Sequence, residues 1–441
     1  MSALSFLRRL FGSRDGIDRR THHLLTLCES LLGERGETSG AALAREALVA
    51  YEGLDERCRG EFFDVLGRDF SPLPEVVGSA ADAYRYDPTP GNLIRLQEAI
   101  EPARQELFRR LNVAPGATAA LVEMRRVLLR GMDAHPHWRV IDADLLHLLR
   151  SWFNRGFLRL ERIDWRTSAI VLEKLIQYEA VHAIQGWRDL RRRLEADRRC
   201  FAFFHPQLPD EPLIFIEVAL TRGMSARVQP LLDVQAPVAS AERADCAMFY
   251  SITNCQEGLR GISFGNLLIK QVAEELKREL PHLRAFATIS PIPGFRRWLQ
   301  KTRVRLARGP EGEQRLALLA RIEEPGWHSG EVPEPLEPLL LGLCAWYLQN
   351  AKQGQEPLDA VARFHLGNGA MLERLRWLGD TSESGMARSA GMMVNYAYRL
   401  ADVERNHERY FREHAVVASR AVAKLARECP LDAPAERSAE A

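Results

Sequence analysis

The chain has 441 residues, 46% of them apolar and 27% charged, and its 60 basic and 59 acidic residues leave a net charge of +1. That length allows two or three domains with ample core, and the charge balance argues against nucleic-acid binding, which normally brings a basic excess. The longest apolar runs, 213–218 and 338–347, fall short of the roughly 20 residues that span a bilayer, so no membrane segment is expected. Cysteines at 28, 58, 200, 246, 255, 344 and 429 are scattered without a CxxC pair. They signal neither a zinc site nor a disulfide framework, and reduced thiols in a cytoplasm are the plain expectation.

At the N-terminus, residues 1–11 (MSALSFLRRLF) place arginines and apolar residues at helical spacing, as an organellar leader would. Asp15 and Asp18 follow at once, and such leaders avoid acids, so mitochondrial targeting is not expected. Helices follow. Apolar stripes at Leu24, Leu25, Leu27, Leu31 and Leu32, at Ala42, Leu43, Leu48, Val49 and Tyr51, and at Leu93, Leu96, Ile100 and Leu107 all run near period 3.6. Turn residues separate them around 33–40, 71–74, 87–91 and 115–116, and two more helices fit 118–131 and 140–153. An all-α domain over residues 1–155 is expected.

The pattern then changes. Strands fit 157–163, 199–205, 213–221, 247–253 and 283–289, and helices fit 168–179, 186–194 and 266–280. This order describes an α+β domain around a mixed sheet, expected over 156–429. Segment 316–322 fits helix or strand, and 337–349, 359–364, 371–378, 395–405 and 416–428 fit helices. The tail 430–441 is small, polar and rich in Pro and Ala, a composition of disorder.

Between the fourth strand and the next helix lies a loop with Gly258, Gly261 and Gly265. Glycines let backbone approach a phosphate, and the N–H groups of a helix start face the anion. The spacing is neither a Walker A nor a Rossmann fingerprint, and strand-ending, helix-capping glycines would look the same. The segment Arg260, Gly261, Ile262, Ser263, Phe264, Gly265, Asn266 nonetheless resembles the loop with which GNAT acyltransferases hold the pyrophosphate of coenzyme A. Ser290, in Ser-Pro-Ile-Pro-Gly-Phe, stands at the end of a strand, where ligands of open sheets usually bind, though Ser-Pro is also an ordinary turn. His365 stands before Gly367 and Gly369, where a histidine often serves only a helix end.

Taken together these segments are specific. Residues 249–253 (FYSIT), the Gly loop, 290–295 (SPIPGF), 344–348 (CAWYL) and 364–370 (FHLGNGA) resemble the malonyl-CoA decarboxylase family, and so do 179–182 (EAVH), 218–221 (VALT) and 395–398 (NYAY). The resemblance implies a helical N-terminal domain followed by a GNAT-like catalytic domain with extra C-terminal helices. It implies conversion of malonyl-CoA to acetyl-CoA and CO2, with no metal or organic cofactor because coenzyme A is part of the substrate. It further implies Ser290 and His365 as the catalytic pair, Tyr398 as a supporting residue, and Arg260 to Asn266 as the CoA loop. Members of the family carry a glutamate in that loop where this chain has Ser263, so a catalytic role for a loop carboxylate does not carry over.

The chemistry suits these residues. Loss of CO2 leaves a thioester enolate, for which Ser290 and loop N–H groups offer hydrogen bonds, and His365 is expected to help protonate the carbon, either as an acid active near neutrality or by orienting Ser290 while water supplies the proton. A GNAT-type N-acyltransferase and a non-catalytic CoA-binding regulator remain the alternatives. The helical N-domain is expected to make a homo-oligomer.

Overall fold

Two units organise the chain in the computed structural model, which describes residues 16–431 apart from 35, 263–267 and 309–310. One gathers the residues up to 159 with 204–212 and 256–264; the other gathers 160–203, 213–255 and 265 onward. The leader-like stretch 1–11, the tail from 432, and Ser263, Phe264, Gly265 and Asn266 lie outside the described residues.

The first unit carries the α-helices Arg19–Gly33, Glu37–Glu52, Glu56–Asp69, Pro74–Tyr86, Pro90–Ile100, Ala103–Leu111, Ala117–Gly131 and Arg139–Trp152. Their starts are set locally. Asp18, Asp55 and Thr89 accept capping bonds from backbone N–H groups, and Pro74 and Pro90 occupy first-turn positions where no N–H is needed. Pro102 divides the stripe from Leu93 to Leu107 into two helices. Leu24, Phe62, Phe63, Phe108, Leu121 and Leu145 are among the buried residues of this unit.

The second unit is built on one mixed sheet. Its strands are β1 (Arg159–Ile163), β2 (Arg198–Phe204), β3 (Ile214–Thr221), β4 (Cys246–Asn254), β5 (Ala285–Thr288), β6 (Ser290–Pro291), β7 (Met371–Arg376) and β8 (Met393–Ala397). The order is β1-β2-β3-β4-β5-β8-β6, with β7 paired to β8. The α+β class and the extra C-terminal helices are as expected.

One feature of this sheet makes the site. β4 and β5 run parallel, with Cys246 beside Ala285 and Phe249 beside Thr288. The last bond between them runs from Ile289 N–H to the Phe249 carbonyl, 3.0 Å. Beyond it β4 continues to Asn254 along β3, while the other strand continues as β6 along β8. Pro291, next in line, has no N–H to offer β4. The two strands part, and a wedge opens between them. A bulge sits beside it: Glu217 pairs with Ser251 and Val218 with Phe249, which leaves Tyr250 as an extra residue.

Two expectations fail here. Residues 371–378 and 395–405 read as helices, whereas β7 occupies 371–376, β8 takes 395–397, and the helix Val403–Glu413 starts late. Leu372 and Leu375 mimic a helical stripe among good helix formers. Pairing of Val394 with Ser290 on one side and with Leu375 on the other overrides that preference. The wedge is closed by helix Ala360–Gly367, which Asp359 caps by accepting from Ala362 N–H at 2.9 Å. It ends in paired bonds from Gly369 N–H to Leu366 O and Ala370 N–H to His365 O. Gly369 has φ +81°, and a Cβ there would lie 2.2 Å from the Val403 carbonyl oxygen. Gly369→Ala is therefore expected to lower stability by more than about 2 kcal/mol in a urea titration. An unchanged midpoint would show that this helix end is not constrained as described.

Candidate active site

Ser290 follows Thr288 by two residues on the strand, so both side chains take the same face. Ser290 Oγ is 2.9 Å from His365 Nε2 and donates to Thr288 Oγ1 at 2.8 Å. His365 Nδ1 is 2.8 Å from Tyr398 Oη, and the Tyr396 ring stacks on the imidazole at 4.4 Å between centroids. Thr288, Ser290, His365, Tyr396 and Tyr398 are all buried. The structure thus joins the three residues expected to act, Ser290, His365 and Tyr398, into one hydrogen-bonded chain. His365 does not serve its helix end as a cap; its ring points inward to Ser290.

Above them lies a cavity of about 240 Å³ lined by Ser290 and His365 and by apolar side chains including Phe249, Ile252, Val361 and Phe364. Such walls weaken charge. Burial pushes the His365 pKa down from 6.5 to about 3, and it pushes the Tyr396 and Tyr398 phenols well above 10. The imidazole is neutral at physiological pH. Burial works against a charged histidine acid near neutrality, and among the described residues no carboxylate is bonded to the ring to hold a second proton. The neutral ring's contribution to stability is full above the ordinary pKa of 6.5 and is lost as pH falls from there toward 3.

Of the expected CoA loop, Arg260, Gly261 and Ile262 are described. Gly261 has φ +81°, a conformation suited to glycine. The Arg260 guanidinium is exposed and paired with Glu257 at 3.1 Å, and Ile262 is buried. Arg125 braces this segment: its Nη1 donates to the carbonyls of Gly258 and Arg260 at 2.7 and 2.8 Å, and its Nε donates to Asp142 at 2.8 Å. Gly258 itself has no room for a side chain, since a Cβ would fall 2.0 Å from the Val122 carbonyl oxygen. Among the described residues, Asp64, His135 and His137 bring metal-capable atoms within 4.8 Å of one another. There Asp64 Oδ1 is already 2.7 Å from His137 Nε2 and accepts from Trp138 Nε1–H at 2.8 Å.

Sequence reasoning missed Thr288, Tyr396 and Arg125. Alternation about Ser290 could have found the first; the misread strand β8 hid the second. No local signal marks Arg125, which lies 133 residues from Gly258.

Comparison with known proteins decides the family. The family described as malonyl-CoA decarboxylase C-terminal domain matches residues 156–438, and the malonyl-CoA decarboxylase N-terminal domain matches 70–153. The chain belongs to the malonyl-CoA decarboxylase family. Mitochondrial malonyl-CoA decarboxylase of Anser anser anser is 36% identical over 406 residues, covering 84% of this chain and 81% of the relative. The crystal structure of malonyl-CoA decarboxylase from Rhodopseudomonas palustris has 50% identity and a TM-score of 0.88, covering 92% of this chain and 99% of that one. The structure from Agrobacterium vitis gives 48% and 0.85, covering 92% and 99%. Family members bear the name of a carboxy-lyase.

The Arg125 brace yields a prediction for this malonyl-CoA decarboxylase family member. Arg125→Met strands Asp142 and two loop carbonyls and is expected to cost about 3 kcal/mol of unfolding free energy. A loss below about 0.5 kcal/mol would contradict the brace.

Proposed function

We propose that the chain decarboxylates malonyl-CoA to acetyl-CoA and CO2 in the wedge between β4 and β6. The observation that carries this reading is the Ser290–His365 pair, bonded at 2.9 Å on the floor of a largely apolar cavity. Heterolysis of the bond between the carboxylate carbon and the α-carbon sends its electron pair into the thioester, which becomes an enolate. A donor aimed at that oxygen is worth on the order of 3 kcal/mol or more in the transition state. Ser290 is such a donor. Apolar walls favour loss of the charged carboxylate by withholding water from it.

The α-carbon must then gain a proton. A thioester enolate is far more basic at carbon than the alkoxide or imidazolate a neutral donor leaves behind, so a neutral donor suffices. Ser290 passes its proton to carbon, and the His365 ring resupplies it, with Tyr398 holding the far nitrogen and bulk solvent supplying the one proton that the decarboxylation consumes. The chain's own side chains thus cover both needs of the reaction, and the reading includes no metal or organic cofactor. Arg260 and Gly261, with the rest of 260–266, are proposed to hold the CoA phosphates; Arg260 would then exchange Glu257 for phosphate. The reading places the enzyme in a reducing cytoplasm, where buried thiols such as Cys200 and Cys344 persist.

Self-association through the helical unit is part of the proposal. Helices Pro74–Tyr86 and Pro90–Ile100 pack on each other and bury no residue of their own. Val76, Tyr86, Leu93, Ile94 and Ile100 stand exposed, an apolar surface that a second copy of the chain would cover.

Two experiments test these statements. Purified protein with malonyl-CoA should yield acetyl-CoA by mass, and Ser290→Ala should lower kcat roughly 10²-fold with little change in CoA affinity. No acetyl-CoA from the wild type, or near-normal turnover by the variant, would sink the assignment. Leu93→Asp with Ile94→Asp should reduce the native mass measured by light scattering. A wild type that already runs as a monomer would contradict the interface.

A further inference from the structure

Thr288 is fully buried and has no part in the reaction as described above. Its Oγ1 accepts from Ser290 Oγ at 2.8 Å and from Tyr396 N–H at 3.2 Å, and its carbonyl accepts from Asn395 Nδ2 at 2.7 Å. At this one point, side chains take the place of backbone bonds between β5 and β8.

Proton accounting along the chain gives Thr288 a role. The buried Tyr398 hydroxyl has His365 Nδ1 as its hydrogen-bond partner, 2.8 Å away. If the phenol proton were not given to Nδ1, a buried donor would go without an acceptor, at a cost of about 1–3 kcal/mol. Nδ1 is then an acceptor, and a neutral imidazole must carry its proton on Nε2. Nε2–H faces Ser290 Oγ at 2.9 Å, so Ser290 accepts there and sends its own proton elsewhere. The atom that receives it is Thr288 Oγ1. The opposite polarity, with Ser290 donating to Nε2 and Nδ1–H to Tyr398, leaves the phenol proton with no acceptor among the described residues.

We propose that Thr288 is a positioning residue: by accepting the Ser290 proton it holds His365 as the Nε2–H tautomer and keeps Ser290 a donor. Serine nucleophiles have the reverse polarity, in which the hydroxyl donates to histidine and is activated for attack. Here the hydroxyl swings from Thr288 to the substrate oxygen, and no acyl-serine forms. The consequence for rate rests on the decarboxylase reading; the tautomer does not.

The test labels the histidine ring nitrogens with 15N and assigns the His365 signals by their loss in His365→Asn. In the wild type, without substrate, Nε2 is expected protonated and Nδ1 bare. Thr288→Val keeps the shape but removes the acceptor. It should move the His365 pattern toward Nδ1–H and lower kcat at least about tenfold with KM within about twofold. Thr288→Ser should restore both. A wild-type Nδ1–H pattern overturns the proposal, and so does a Thr288→Val protein with wild-type spectrum and kcat. If Thr288→Val does not fold, the wild-type spectrum still decides. An Nε2–H spectrum from a protein that makes no acetyl-CoA would overturn the decarboxylase reading alone.

Discussion

The hydrogen bond between Ser290 and His365 is the contact to which the rest of the catalytic unit is fitted. It joins a strand to a helix 75 residues away in sequence, and each side is fixed by independent means. Pro291 and the pairing with β8 set where Ser290 stands; the Asp359 cap and the turn at Gly369 set where helix Ala360–Gly367 begins and ends. Without the parting of β4 from β6 the serine would face a paired strand and no substrate could reach it. Parallel pairing that stops at Phe249 and Thr288 is therefore the architectural condition for the site.

Burial decides the chemistry available there. The apolar surroundings make an imidazolium costly, so the histidine is held neutral and bracketed by hydroxyls. Strong bases at carbon accept protons from neutral donors, and a site that needs only donors gains nothing from a charged one. Among the described residues, Ser, His, Thr and two Tyr side chains, none of them ionised, form the constellation. Its polarity, rather than its charge, is what positions the protons.

Much of this was legible beforehand because the informative segments are local. Strands 214–221 and 246–254 and the helix Leu268–Glu279 follow from short runs rich in strand formers and from the buried stripe of Leu268, Val272 and Leu276. Ser290, His365 and Tyr398 came from motifs carrying the family resemblance. The failures have one cause: preferences set by tertiary pairing. β7 carries residues that favour helices yet pairs with β8, and β8 was read with the helix that follows it, so Tyr396 and the setting of Tyr398 were hidden. Burial of His365 is likewise a property of everything around it, and no spacing in the chain announces a pKa pushed down to about 3.

A neutral His365 working through Ser290 leaves its mark on the pH dependence of kcat/KM for malonyl-CoA, since that ratio reports the free enzyme. Between about pH 5.5 and about pH 8.5 the profile should show no falling limb from histidine deprotonation, because the ring has already lost its second proton. A tenfold fall per pH unit setting in near the ordinary histidine value of 6.5, and missing from the residual activity of His365→Asn, would show an imidazolium acid and contradict it.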